Sequence, residues 1–354
     1  MDPKIKQILD LAVANKASDI HMSDSYVPQL RINGELTELS NVNLGTPEEA
    51  SAMILSILSA EQKEKFLESK ELDLSLTTPE ARFRINIYLQ RGGVTATLRV
   101  VPQEIPRFAD LNFPEVFNSF LKLNQGFVLV TGPTGSGKST TVGSILNEIN
   151  NTQKRHIVTI EDPIEYIMKP AKSIISQREV GNDTVSFSMA LRSALRQDPN
   201  VVFVGEMRDL ETISSALTIA ETGHLVFSTL HTNSASQTMD RIVDVFPEGM
   251  KDQVRVQMAE VISAVVSQRL IPTVDGKRAP AFEILVATSA VKNIIREGKT
   301  FMIDNVIQTG GDLGMIGMET SLARLVKSGR VLEEVAMLYA LRPQELQNRL
   351  RSIK

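Results

Sequence analysis

Residues 132 to 139 read Gly132-Pro133-Thr134-Gly135-Ser136-Gly137-Lys138-Ser139, with Thr140 continuing into the next element. The run before them, Gly126 to Thr131, is apolar and of strand length, and Lys138 to Asn150 carries a helical pattern. Glycines at such a strand–helix junction let backbone N–H groups turn inward around a phosphate. Lys138 is then placed to reach β- and γ-phosphates, and the Ser139 hydroxyl to bind Mg²⁺. The helix that starts here aims its positive end at the same anion. A turn that merely closes a strand–helix corner does not account for the full eight-residue pattern in this frame. Gly132 to Thr140 are therefore expected to bind ATP.

Downstream of residue 112 short apolar runs alternate with helical patterns, the signature of a parallel sheet. His156 to Ile160, Val201 to Val204 and Leu225 to Thr229 read as strands buried on both faces. Two of them end in carboxylates. Glu206 follows Val201-Val-Phe-Val-Gly205, and Glu161 opens Glu161-Asp162-Pro163-Ile164-Glu165. Ligands of open α/β sheets collect at the carboxyl ends of strands, so both acids are expected at the phosphates. Glu206 is the candidate to hold Mg²⁺ through water, and either acid could orient the attacking water. Asp162 and Glu165 can equally cap the loop. His231 ends a third strand among Thr229, Thr232 and Asn233 and is a candidate γ-phosphate sensor; His224 is a further candidate nucleotide contact.

Upstream, the first hundred residues read as a small α+β unit. Ile5, Ile8, Leu9 and Leu11 recur at helical spacing. Asn33-Gly34 between Gln29-Leu-Arg-Ile and Glu35-Leu-Thr-Glu-Leu is a two-residue hairpin signal. Residues 47 to 68 read as one helix, and Ala81 to Gln90 and Val94 to Val101 as a second hairpin. Pro102 and Pro106 then interrupt all periodicity, which places a linker over 103–112. The expected division is 1–102, that linker, a core over 113–270, and 271–354 as a hairpin around Asp275-Gly276 followed by helices.

Composition limits the alternatives. Of 354 residues, 42% are hydrophobic and 23% charged, the usual globular mixture. Cysteine is absent, which excludes disulfides, iron–sulfur clusters, thiolate zinc sites and cysteine nucleophiles. No apolar run reaches the roughly 18 residues of a membrane span, and the amino terminus is too polar for a signal peptide. A soluble, cytosolic chain is expected. The net charge of −4, without a basic block, argues against nucleic acid as partner.

Taken together, these boxes resemble the secretion and pilus ATPase superfamily, most closely the type IV pilus retraction (PilT, or twitching-motility) ATPases. Gly132–Ser139 matches Walker A, Ile160–Glu165 the Asp box, Val201–Glu206 with Met-Arg-Asp Walker B, and Gly223–Thr232 the His box. Asn293, Ile295, Arg296 and Glu297 stand where retraction ATPases have Asn, Ile, Arg and Glu in a carboxyl-terminal motif; Val291 and Lys292 depart from it. The resemblance implies a PAS-like α+β amino-terminal domain, then a RecA-like P-loop ATPase domain with a helical carboxyl-terminal extension. It further implies a homohexamer at the cytoplasmic face of the inner membrane. There it would act on a membrane-embedded pilus platform protein, hydrolysing ATP to disassemble the pilus.

In that family amino-terminal arginines close over the phosphates. Arg82 and Arg84, two apart on one strand, share a face, and Arg99 falls roughly opposite Arg84 if the hairpin closes. Their guanidinium forks suit phosphate. A solvated sheet face is the plainer reading of the same alternation. Arg241 and Arg278 are further candidates. Pilus-extension and type II secretion ATPases share every nucleotide box, but commonly add an amino-terminal domain and a four-cysteine zinc insertion. A retraction accessory paralogue shares them too. A nucleic-acid translocase and a non-hydrolysing nucleotide switch are the rivals from other classes; Glu206 and Glu161 together oppose the switch.

Overall fold

The computed structural model describes residues 1–32, 34–101 and 104–352. The chain divides into two compact units, Met1–Glu104 and Ile105–Lys354.

The first unit contains α1 (Pro3–Ala14), β1 (Asp19–Ser23), β2 (Gln29–Ile32), β3 (Glu35–Glu38), α2 (Pro47–Leu55), α3 (Ala60–Ser69), β4 (Glu71–Thr77), β5 (Arg82–Gln90) and β6 (Gly93–Val101). Its antiparallel sheet runs β3-β2-β1-β6-β5-β4. The expected hairpin closes, with Ile32 opposite Glu35, although Asn33 itself lies outside the described residues. The single helix expected over 47–68 is two helices. Thr46 with Glu49 and Ser59 with Gln62 each form a capping box, so the second box starts a new helix where periodicity alone reads straight through. Strands β1 and β4 add to the elements read from the sequence; β4 alternates cleanly, with Leu72, Leu74 and Leu76 packed on the core and Glu71, Asp73 and Thr77 exposed. Ile5, Ile8, Leu9, Ile54, Phe66, Phe83, Ile85 and Ile87 fill the core between helices and sheet.

The second unit contains α4 (Phe117–Leu121), β7 (Gly126–Thr131), α5 (Lys138–Thr152), β8 (His156–Glu161), β9 (Ile174–Glu179), α6 (Phe187–Ala194), β10 (Val201–Val204), α7 (Leu210–Glu221), β11 (Leu225–Leu230), α8 (Ala235–Asp244), α9 (Lys251–Val261), β12 (Ile262–Pro272) and β13 (Arg278–Val286). Five helices follow: α10 (Ser289–Arg296), α11 (Ile303–Thr309), α12 (Met318–Lys327), α13 (Glu333–Tyr339) and α14 (Pro343–Ser352). The sheet order is β13-β12-β7-β11-β10-β8-β9, parallel except for β13. Its central strands β7, β10 and β11 are buried along their whole length. Successive residues pack on opposite faces: Val128, Val130 and Phe227 against α5, Leu129 and Val226 against the helices of the other face. Fold and class are therefore a PAS-like α+β unit followed by a RecA-like α/β unit with a helical extension.

Two boundaries differ from the sequence reading. Much of the segment expected as a linker belongs to the second unit, because Ile105 and Phe108 pack against its core and the Phe108 ring sits 5.1 Å from Phe113. The division at residue 270 falls inside β12, and the hairpin around Asp275-Gly276 completes the sheet rather than leaving it. The last helices dock on that hairpin through Ile271, Ala279, Ala281, Met318, Leu322 and Leu346. Arg342 fastens them, 3.3 Å from buried Glu319 and 3.9 Å from buried Glu283. Among the described residues no helix is long and apolar enough to cross a membrane.

Candidate active site

β7 delivers the chain into the glycine loop, and α5 begins at Lys138 with Gly137 as its cap and no side chain capping its first N–H groups. Those donors stay available to an anion. Gly132 and Gly137 have φ of 146° and 88°, which a side chain would strain. A Cβ at Gly132 would also stand 2.3 Å from the Gln268 carbonyl oxygen. The Lys138 ammonium donates to the carbonyls of Gly132 (2.9 Å) and Pro133 (3.1 Å). Its burial lowers its pKa, partly countered by Glu206. The Ser136 hydroxyl is buried with no hydrogen-bond partner, an unsatisfied donor inside the loop. Ser139 is exposed on the first helical turn, and the Thr140 hydroxyl bonds the Tyr166 hydroxyl at 3.0 Å.

The two strand-end acids leave the same end of the sheet, and only Glu206 feels the Lys138 charge. β8 and β10 are adjacent and parallel, with Ile160 opposite Val204, so Glu161 and Glu206 leave neighbouring strands at the same end. Glu161 is buried, and burial pushes its carboxyl up to about 7 despite bonds donated by Thr159, the Glu165 N–H and Gln177. Glu206 is more open. Burial would raise its pKa too, but the Arg208 guanidinium at 2.7 Å, with His231 and Lys138, holds it below the ordinary carboxylate value. His231 Nε2 lies 3.2 Å from Glu206 Oε1.

The structure thus brings Lys138, Glu206 and His231 together, with Glu161 on the next strand. It does not bring His224 there. That ring precedes β11 and bonds the Ile219 carbonyl at 3.0 Å, at the opposite end of the strand from His231. Six strand residues separate the two, on the order of 20 Å, so within one chain His224 is a local cap. Asp162 is exposed. Arg82, Arg84 and Arg99 lie on the first unit. Arg84 is the direct cross-strand partner of Arg99, and Arg99 donates to Asp19 at 3.0 Å. Arg241 and Arg278 are exposed on α8 and at the start of β13.

Three contributors went unread in the sequence. Arg208, inside the Met-Arg-Asp that follows Glu206, neutralises that acid. Gln177 of β9 reaches Glu161, the Tyr166 carbonyl (2.9 Å) and the Met168 N–H (2.8 Å), shaping the acidic loop. Gln268 of β12 contacts the glycine loop directly. Only the Glu206–Arg208 spacing was local enough to be found without the fold.

The pattern of type II/IV secretion system proteins matches residues 1–321. The chain belongs to this family. The Pseudomonas aeruginosa type IV pilus retraction ATPase PilT is 45% identical over 341 residues, 96% of this chain and 99% of the relative. The Neisseria gonorrhoeae twitching motility protein is 47% identical over 311 residues, 87% of this chain and 83% of its own. A crystal structure of the pilus retraction motor PilT with bound ADP superposes with a TM-score of 0.92 at 44% identity, covering 98% of this chain and all of that one. As a member of the secretion-system family, the chain carries the family's fold through both units.

Proposed function

We propose that this chain is an ATPase motor that powers type IV pilus retraction. The observation that carries the proposal is the 45% identity to a retraction ATPase along 96% of this chain and 99% of the relative. Likeness of that extent covers the carboxyl-terminal helices as well as the nucleotide boxes. The ATP phosphates take the place that the loop, the α5 amino terminus and Lys138 prepare. Lys138 exchanges its two carbonyl partners for β- and γ-phosphate oxygens, and the unpartnered Ser136 hydroxyl gains an acceptor.

The donor set near the loop fits Mg²⁺. It offers hard oxygens, the Ser139 hydroxyl and the Glu206 carboxylate. Among the described residues no group of three or more His, Cys, Asp or Glu could hold a metal by itself. That suits an ion completed by phosphate oxygens and water. When bound it would neutralise charge on the transferring phosphoryl group. Glu161 is the better proton acceptor of the two acids, since its pKa of about 7 matches the working pH, whereas Glu206 is held ionised and is a weak base. Glu206 instead orients water, and His231 links it to the γ-phosphate.

The same reading places the chain in a homo-oligomer, a hexameric ring, at the cytoplasmic face of the inner membrane, working on a pilus platform protein. Arg82, Arg84 and Arg99 supply charge to the phosphates once the ring assembles. Deleting the gene in its host and counting surface pili tests the reading. Pili that persist without retracting support it, and loss of all pili would instead assign the extension motor. ATP turnover strongly stimulated by single-stranded DNA or RNA would favour a translocase.

A further inference from the structure

β12 borders β7, the strand that leads into the phosphate loop. It runs parallel to β7 with Ser267 opposite Thr131, and the two hydroxyls are hydrogen-bonded at 2.9 Å, one residue before the loop begins. The next residue, Gln268, is 3% exposed and reaches the other side of the loop. Its Nε2 donates to the Ser136 carbonyl at 2.8 Å, and its Oε1 accepts from the Thr141 hydroxyl at 2.7 Å. The first partner is in the loop and the second in the opening turn of α5. A carbonyl only accepts, so the amide has one workable orientation and both of its ends are used.

We propose that Gln268 is a positioning residue of the phosphate site, bracing the loop against α5 so that the backbone donors point at phosphate before nucleotide arrives. This rests on the phosphate-loop reading above. Carbonyl and N–H of one trans peptide point in opposite directions. Drawing the Ser136 carbonyl toward Gln268 therefore turns the Gly137 N–H away from it. The brace is also tight. A Cβ at Gly137 would lie 2.9 Å from Gln268 Nε2, and one at Gly132 would lie 2.3 Å from its carbonyl oxygen. Both ends of the loop thus close on this one residue. Preorganised donors lower the cost of ordering the loop on binding, so the expected consequence is in affinity more than in the chemical step.

Binding of a fluorescently labelled ADP and steady-state ATP turnover, measured on the full chain, test this. Gln268→Met keeps length and apolar volume but makes neither hydrogen bond. It should weaken ADP binding about tenfold or more, as expected for buried groups left unpaired, and raise KM more than it lowers kcat. Thr141→Val removes one bond and should weaken binding about threefold to tenfold by the same reasoning. The double variant should be less than additive, because the two residues share a bond. A folded Gln268→Met protein that binds ADP as tightly as the parent, or strict additivity with Thr141→Val, would overturn the proposal. Should Gln268→Met not fold, Thr141→Val decides alone, and unchanged affinity there overturns it. Lys138→Ala serves as the control. If it abolishes binding while the Gln268 and Thr141 variants do not, only the positioning role fails. If it too leaves binding intact, the phosphate-loop reading is what fails.

Discussion

His231 Nε2 sits 3.2 Å from Glu206 Oε1, while Arg208 holds the other carboxylate oxygen at 2.7 Å. Glu206 is thereby held between a permanent cation and an imidazole. Replacing His231 with Ala should lower ATP turnover about a hundredfold, the loss typical of one electrostatic donor at a reacting centre. Nucleotide affinity should stay within a few-fold, since the loop is untouched. Stopped-flow binding alongside steady-state turnover checks both, and normal turnover would reduce His231 to a passive neighbour.

Glu206 and Lys138 should separate binding from hydrolysis. Glu206→Gln keeps the side-chain shape but removes the charge that orients water, so ATP should bind and remain intact. Lys138→Ala should nearly abolish turnover through loss of the charge on the phosphates. Phosphate release and retained radiolabelled ATP distinguish them. If Glu206→Gln turns over normally and Glu161→Gln does not, Glu161 alone carries the acidic role.

Burial raises the Glu161 carboxyl from 4.5 to about 7, so turnover should rise with pH through an apparent pKa near 7 as the base ionises. The stability effect has the opposite sign. A carboxyl whose pKa is higher folded than unfolded favours the folded state fully below 4.5, and that contribution is lost as pH rises through 7. Glu283, also pushed up to about 7 by burial, acts in the same window. Urea midpoints at pH 5 and pH 8 should therefore converge in the Glu161→Gln, Glu283→Gln double variant. Midpoints as far apart as in the parent would show that other groups govern this range.

The Arg84–Arg99 cross-strand pair should matter only after assembly. Arg99 is two-thirds exposed (67%) beside Asp19, so Arg99→Ala should cost little stability. Its effect on turnover should be far larger, roughly 10³-fold or more if it acts as an arginine finger. Specific activity of the parent should climb with protein concentration, while Arg84→Ala and Arg99→Ala stay low throughout. Lysine should rescue poorly, lacking the bidentate fork. Variants that track the parent at every concentration would leave these arginines as a solvated sheet face.

Helix α10 should couple hydrolysis to movement without taking part in it. Val291 and Ile295 bury one side, while Asn293, Arg296 and Glu297 remain exposed, with Arg296 donating to Asn293 at 2.7 Å. Arg296→Ala should leave ATPase activity unchanged and abolish pilus retraction in the host. Normal retraction with normal ATPase would remove α10 from the coupling path.

The sequence by itself determined the phosphate loop, the parallel α/β class of the unit around it and the two strand-end acids. Each is a local requirement. Gly132 and Gly137 must occupy backbone conformations that side chains strain, and strands buried on both faces must be continuously apolar. The tertiary structure alone decided what surrounds them. The pKa values of Glu161 and Glu206 are pushed in opposite directions because one is buried and the other meets Arg208 and His231, a contrast of surroundings that two similar strand ends do not display in one dimension. His224 and His231 flank the same strand in the sequence, yet the strand's length carries one away from the phosphates. Gln268 lies 132 residues from Ser136 and 127 from Thr141, and only the pairing of β12 beside β7 brings that amide under the loop. Periodicity records which face of an element is buried. It holds no record of which distant element provides the hydrogen bonds there, because that choice is made by sheet order.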